Sequence, residues 1–361
     1  MKHLIKKEKN ILHGTIGWSH KGKDGQYCEA GETVRIKWQP TAGWGLQEVH
    51  YTDGGGNVVA IEGGEFVMPD SAVVIGATFK RFFLNDWADN PYNPKPKQKY
   101  LTFTAGVGGA SLAFFFNRSA ASEEQQNPNI IFQKSTDGGL TWEEHTIGVY
   151  DPDEGDTADL DVITLDEGNS VMFKGVNSEN FTVGDPEKGR GIYVGFYLDG
   201  SAAASGDITS LINGVGGDAT VQFMQFYSMF SDCTGLTTAP SLPATTLADY
   251  CYSGMFYGCT GLTTAPSLPA TTLANGCYSS MFIDCTGLTT AQSLPATTLA
   301  EYCYSGMFNN CTGLTTAPSL PATTLAESCY NGMFYGCTAL ISAPALPATT
   351  LAESCYSSMF Y

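Results

Sequence analysis

From Ser228 to Tyr361 the chain writes one pattern over and over with a period of 26 residues. A Met-Phe pair returns at Met229, Met255, Met281, Met307, Met333 and Met359, and two cysteine series, Cys233 to Cys337 and Cys251 to Cys355, keep the same step. A fixed period of this size restricts the block to architectures in which each repeat stacks on the next. In one copy, Ala248, Cys251, Tyr252, Met255, Phe256 and Cys259 follow the i, i+3, i+4, i+7 spacing of an apolar helical stripe. Thr246 with Asp249 reads as a capping box, repeated at Thr298/Glu301, Thr324/Glu327 and Thr350/Glu353. Gly261 is placed to end that helix in a left-handed cap. The following Leu262 to Pro269 is short and proline-rich, which predicts no more than a brief edge-type strand. One copy cannot hold itself together. Its few large apolar side chains return ~1.5–3 kcal/mol each on burial, against ~1–2 kcal/mol of backbone entropy for every residue ordered. Stacking on neighbours has to supply the difference.

Strand, turn and helix per copy is the layout of leucine-rich repeats. The pattern Leu-Pro-Ala-Thr-Thr-Leu-Ala-x-x-Cys-Tyr-x-x-Met-Phe-x-x-Cys-Thr-x-Leu, over residues 228–361, resembles the BspA-type leucine-rich repeats of surface proteins from gut Bacteroidales and their phages. The resemblance implies adhesion and recognition and carries no catalytic residue. The chain stops at Phe360-Tyr361, inside a repeat and without a polar cap.

Charged residues are only 15% of the chain and glycines number 41, which suits a loop-rich β or repeat protein with an ample core. The net charge of −18 argues against a nucleic-acid partner. No Lys, Arg or His follows Arg190, so any ligand of the repeats must be held by shape, hydroxyls and aromatics. No apolar run is long enough to span a bilayer, so membrane insertion is not expected. The opening Met1 to Asn10 is basic but lacks the apolar core of a leader, which leads to an expectation of virion assembly rather than secretion. Of the eleven cysteines, ten fall in the repeats at apolar stripe positions. Their gaps of 8 and 18 frame no metal site, and buried thiols acting as small hydrophobes are expected, with disulfides between copies as the alternative.

The rest of the chain reads as β structure. Residues 1–82 are expected to hold an N-terminal extension and a small β domain, in which Val34, Ile36 and Trp38 alternate with Thr33, Arg35 and Lys37. Ala30-Gly31-Glu32-Thr33-Val34, Pro40 to Trp44 and Phe66 to Val73 resemble the internalin-B/Bacteroides repeat module, a β spacer of bacterial surface proteins. Gly17 to Lys23 nearly matches a phosphate loop, but Asp24 stands where the magnesium-holding hydroxyl belongs, so a plain turn is expected. Residues 83–99 read as a Pro-rich linker, with the apolar Phe82, Phe83, Leu84 and Trp87 as interdomain packing. Residues 100–205 carry strand after strand and are expected to form a β-sandwich. Within them Ser135, Asp137, Gly139, Thr141 and Trp142 match the Asp box of sialidase-type propellers, a single copy that predicts a tied hairpin turn. The acidic loop Asp151 to Asp161 fails the EF-hand frame and reads as a solvated loop rather than a calcium site. Residues 206–361 form the repeat solenoid, its first copy atypical. The fold class expected is thus multidomain and mainly β, closed by a strand–helix solenoid.

No nucleophile, base and orienting group can be assembled, and none of His3, His13, His20, His50 and His145 sits in a motif. No catalytic, cofactor-binding or metal-ligating set is expected. What varies between copies are the pairs after Met-Phe and before Cys-Tyr, all off the apolar stripe. Tyr250, Tyr257, Tyr302, Asn309, Asn310 and Tyr335 are therefore the candidate ligand surface, since exposed tyrosine beside amides suits a sugar or protein epitope. The competing reading is neutral variation on a solvated face. Together with the resemblance, these features lead to the expectation of a non-enzymatic recognition protein, first a phage fibre or head decoration on the virion surface that attaches to gut bacteria. The alternatives are a bacterial cell-surface adhesin and a purely structural virion protein. The expected partners are a bacterial surface glycan or protein, other virion subunits and, as a further option, a second copy of the chain.

Overall fold

The computed structural model of the chain describes residues 2–12, 14–21, 23–24, 26–40, 44–61, 64–81, 99–118, 125–150, 157–186 and 190–361. The described chain is mainly β and falls into two compact units, Met1–Gln98 and Lys99–Tyr361. The expected apolar cluster Phe82 to Trp87 and nearly all of the proline-rich stretch lie outside the described residues, as do residues 151–156 of the acidic loop.

In the first unit, strands β1 (Lys2–Lys7), β2 (Gly14–His20), β3 (Lys23–Asp24), β4 (Tyr27–Glu29), β5 (Thr33–Pro40), β6 (Trp44–Thr52), β7 (Val58–Ala60), β8 (Glu65–Val67) and β9 (Val73–Arg81) make two sheets, ordered β4-β1-β9-β6-β7 and β3-β2-β5-β8. Val34 and Ile36 are buried while Thr33, Arg35 and Lys37 are exposed, the pattern of a strand with one wet face. Ile5 and Ile16 join the same core as Val34, Val49 and Ile75, so residues 2–7 and 14–20 are strands of this core and not an extension before it. Gly17 lies inside β2, where an extended backbone cannot wrap a phosphate.

In the second unit, β10 (Leu101–Asn117), β11 (Phe132–Ser135), β12 (Glu143–His145), β13 (Gly148–Tyr150), β14 (Ile163–Leu165), β15 (Ser170–Lys174), β16 (Val183–Asp185), β17 (Arg190–Ser205) and β18 (Leu236–Thr238) belong to one nine-stranded sheet. The long β10 and β17 pair antiparallel along their length, with an irregularity between Ala105 and Ala110. Among the described residues these strands hydrogen-bond as one sheet, where the sequence predicts a sandwich of two facing sheets. The core of this sheet runs on into the repeats. Phe103 stacks on Phe196 at 4.4 Å between ring centroids, and Phe230 of the first repeat packs on both. β18 extends the sheet by pairing parallel to β17. The hairpin between β11 and β12 is tied as its sequence predicts: the Asp137 carboxylate accepts from Leu140 N, Thr141 N and Thr141 Oγ1, and Ser135 Oγ accepts from Gly139 N.

The repeats contain no α-helix, which corrects the strand–helix expectation; the short α1 (Ser210–Asn213) precedes them. An α-helix would commit each interior N–H to the carbonyl four residues back. Here the donors alternate. Cys251, Ser253, Met255, Tyr257 and Cys259 donate to carbonyls three residues back, whereas Tyr250, Tyr252, Gly254, Phe256 and Gly258 donate to Asn275, Cys277, Ser279, Met281 and Ile283 in the next copy, at 2.8–3.0 Å. Every fourth residue is left-handed, at φ +55° for Tyr250, +62° for Gly254 and +68° for Gly258. These reversals break the helix into overlapping turns with the same four-residue apolar spacing, which is why the stripe looked helical. Asp249 does not cap its own segment; its carboxylate accepts from Asn275 N, one copy on. Gly261 is not left-handed either. A Cβ there would stand 2.5 Å from Thr234 O, so the glycine is required by the close approach of the preceding copy. The proline-rich halves touch through isolated parallel bridges, Thr264 to Thr290 and Thr290 to Thr316.

Inside the stack, Phe226, Tyr252, Tyr278, Tyr304, Tyr330 and Tyr356 form one ladder of parallel rings at 5.5–5.9 Å. Phe230, Phe256, Phe282, Phe308, Phe334 and Phe360 form a second at 5.5–5.8 Å. The cysteines are free thiols, buried except for the half-buried Cys337. Cys259, Cys285 and Cys311 each donate to the carbonyl of the phenylalanine in the preceding copy at 3.0 Å, which satisfies the thiol without a disulfide.

Candidate functional site

The left-handed positions fix where the variable side chains go. At the first of them stand Tyr250, Gly276, Tyr302, Ser328 and Ser354, one per copy; at the third stand Asp232, Gly258, Asp284, Asn310 and Gly336. Each lane steps from one copy to the next by 26 residues, so neighbours in a lane are stacked neighbours in space. Residues Tyr257, Asn309, Tyr335 and Tyr361 run beside the second lane, with Ile283 among them.

The six candidate residues fall on these two tracks and do not converge on one pocket. Tyr257, Tyr302 and Tyr335 are each a little over one-third exposed, Asn310 is exposed, and Tyr250 and Asn309 are half-buried. Tyr257 and Asn310 are brought together through Asp284. The Asp284 carboxylate accepts from Asn310 Nδ2 at 2.9 Å and from the Tyr257 phenol, whose pKa it raises. Tyr302 donates its hydroxyl to Glu327 at 2.9 Å, and that bond pushes its pKa up as well. Tyr335 stacks on Tyr361 at 5.4 Å. Asp284 and Glu327 are the groups that sequence reasoning passed over. The available signal was complementarity between copies: glycine stands where the preceding copy presents a large or charged side chain. A Cβ on Gly258 would meet Asp232 Oδ1 at 2.3 Å, and one on Gly336 would meet Asn310 Oδ1 at 2.2 Å.

The chemistry of this face follows from its composition. It offers phenol edges, carboxamides and carboxylates, and no cation among residues 191–361. Neutral polyhydroxyl ligands suit it, because rigid aromatic faces cover C–H surfaces while carboxylates and amides pair with hydroxyls. Of the acidic loop, Asp161 is a structural group: it pairs with Lys134 Nζ at 2.8 Å and lies 3.1 Å from His145 Nδ1. No described helix is long and apolar enough to cross a membrane. In the first unit the fold gathers His20, Cys28 and Glu32, three metal-ligating groups that no sequence motif frames.

No protein-family model matches this chain, and neither does any curated protein nor any solved structure.

Proposed function

We propose that the repeat block is a solenoid of leucine-rich-repeat type whose customary helix is replaced by turns, and that it serves as a non-enzymatic recognition surface. The observation that carries this reading is the division of labour within each copy. Backbone bonds, ring ladders and thiols repeat with little change, while the positions at 250, 257 and 258 and their equivalents, all off the apolar stripe, change from copy to copy. A constant frame with variable outward lanes is how stacked repeats present a binding face. Lacking cations, that face is suited to a surface glycan or a hydroxyl-rich protein patch.

The likeness of the repeats to BspA-type sequences supports a place on a phage virion, as a fibre or head decoration that attaches to gut bacteria. A bacterial cell-surface adhesin would use the same face. The test is binding of the labelled full-length protein to gut Bacteroidales cells and to a panel of their surface glycans. Retention that disappears when Tyr257, Tyr302, Asn309 and Tyr335 are all replaced by alanine is expected. Unchanged retention by a folded quadruple variant rejects the face, and no retention by the native protein rejects adhesion.

A further inference from the structure

His20 closes β2, Cys28 lies in the middle of β4, and Glu32 stands immediately before β5. The β2–β5 register, with His20 opposite Val34, brings Glu32 alongside the end of β2. Cys28 is 1% exposed, and the side chains of His20 and Glu32 are 17% and 14% exposed. One ligand atom from each lies within 4.8 Å of the others. A single oxygen, Glu32 Oε2, is 3.2 Å from Cys28 Sγ and 3.4 Å from His20 Nδ1. Zinc bonds of ~2.0–2.3 Å place tetrahedral ligand atoms ~3.3–3.8 Å apart; the two separations from Glu32 Oε2 are close to that, and the thiol and the imidazole, within 4.8 Å of each other, would draw together around the ion.

The imidazole supplies a second, independent observation. His20 Nδ1 is buried and makes no hydrogen bond, although Glu32 is near enough for one. A buried ring nitrogen left without a partner loses its solvation for no return. Lys21 pairs with the other carboxylate oxygen, Glu32 Oε1, and therefore does not occupy the atom shared by the thiol and the imidazole.

We propose that His20 Nδ1, Cys28 Sγ and Glu32 Oε2 form a three-ligand site for a thiophilic divalent cation, zinc above all. Nitrogen, sulfur and one carboxylate oxygen match borderline-soft zinc and not calcium or magnesium, which require oxygen shells. Binding replaces the S–H bond of Cys28 by a sulfur–metal bond and releases that proton to solvent, while His20 binds as the neutral imidazole. The fourth position is left to water. The site joins the two sheets of the unit, because β4 belongs to one and β2 and β5 to the other. Its role is a staple.

The test uses the full chain, stripped with a chelator and then freed of it. Zinc is titrated in competition with a chromophoric chelator, and cobalt(II) is added in parallel to report thiolate ligation by its charge-transfer absorption. One equivalent per chain, a cobalt–thiolate band and a zinc-dependent rise in Tm are expected. The variants Cys28→Ser and His20→Gln should each weaken zinc binding by more than the ~10–100-fold that loss of a supporting partner costs, and Cys28→Ser should abolish the band. The ten thiols of the repeats are controlled for by His20→Gln, which leaves every cysteine in place. If Cys28→Ser does not fold, His20→Gln and Glu32→Gln carry the test. No stoichiometric uptake by the native chain, or uptake indifferent to the folded variants, overturns the proposal.

Discussion

A Cβ on Gly276 would lie 2.4 Å from the ring of Tyr250, its lane neighbour one copy earlier. Gly276→Ala is therefore expected to destabilise the protein by ~1–3 kcal/mol through overpacking, with a further ~1–2 kcal/mol because its φ is +58°. Tyr250→Ser should recover the first part and not the second. A double-mutant cycle by urea unfolding measures this, and strict additivity of the two changes would show that the lanes are not sterically coupled.

The Phe282 ring lies in the middle of its ladder, 5.5 Å from Phe256 and 5.5 Å from Phe308, and is fully buried. Phe282→Ala should cost ~3–5 kcal/mol. Because each copy is held chiefly by its neighbours, hydrogen exchange should speed up in the flanking copies and not only at the mutated one. Protection lost at that copy alone would contradict the stacking account.

His145 is wholly buried, with Nε2 accepting from Phe114 N and Nδ1 facing Asp161. Burial lowers its pKa from 6.5 to about 4, outweighing the opposing pull of Asp161. Between those values the unfolded chain binds the extra proton, so stability is full above pH 6.5 and falls as the pH drops towards 4. The shift corresponds to on the order of 3 kcal/mol. Unfolding free energies at a series of pH values should show this slope in the native chain and a shallower one in His145→Gln.

The repeat thiols should be unreactive. Burial raises the pKa of Cys259 and Cys277 well above the ordinary range, and the half-buried Cys337 is held up at about 11. At mildly alkaline pH a thiol reagent should label no more than Cys337 in the folded repeats, and all eleven cysteines once the chain is denatured. Rapid labelling of several repeat cysteines without denaturant would contradict their burial.

The interior of the repeats was legible from residue type alone. Cys251, Tyr252, Met255, Phe256 and Cys259 are all buried, as their apolar spacing requires. The backbone that carries them was not, because a four-residue spacing of apolar side chains serves an α-helix and a run of turns equally. What separates the two is the destination of each N–H, and the acceptors for half of them lie 25 residues away. The candidate surface was legible as a set of variable positions but not as pairs. Asp284 became visible only when stacking set Tyr257 on one side of it and Asn310 on the other.

Sequence by itself determined that residues 228–361 repeat, that the cysteines and aromatics on their apolar stripe face inward while tyrosines off it do not, and that the block carries acids without bases. Those properties follow from periodicity and composition, which need no coordinates. Tertiary structure alone decided that the copies are turns and not helices, that the β strands of residues 101–205 share a core with the first repeat, and that His20, Cys28 and Glu32 meet. In each of these cases the free energy depends on which atoms stand across a contact, and a linear chain does not say which distant residue that will be.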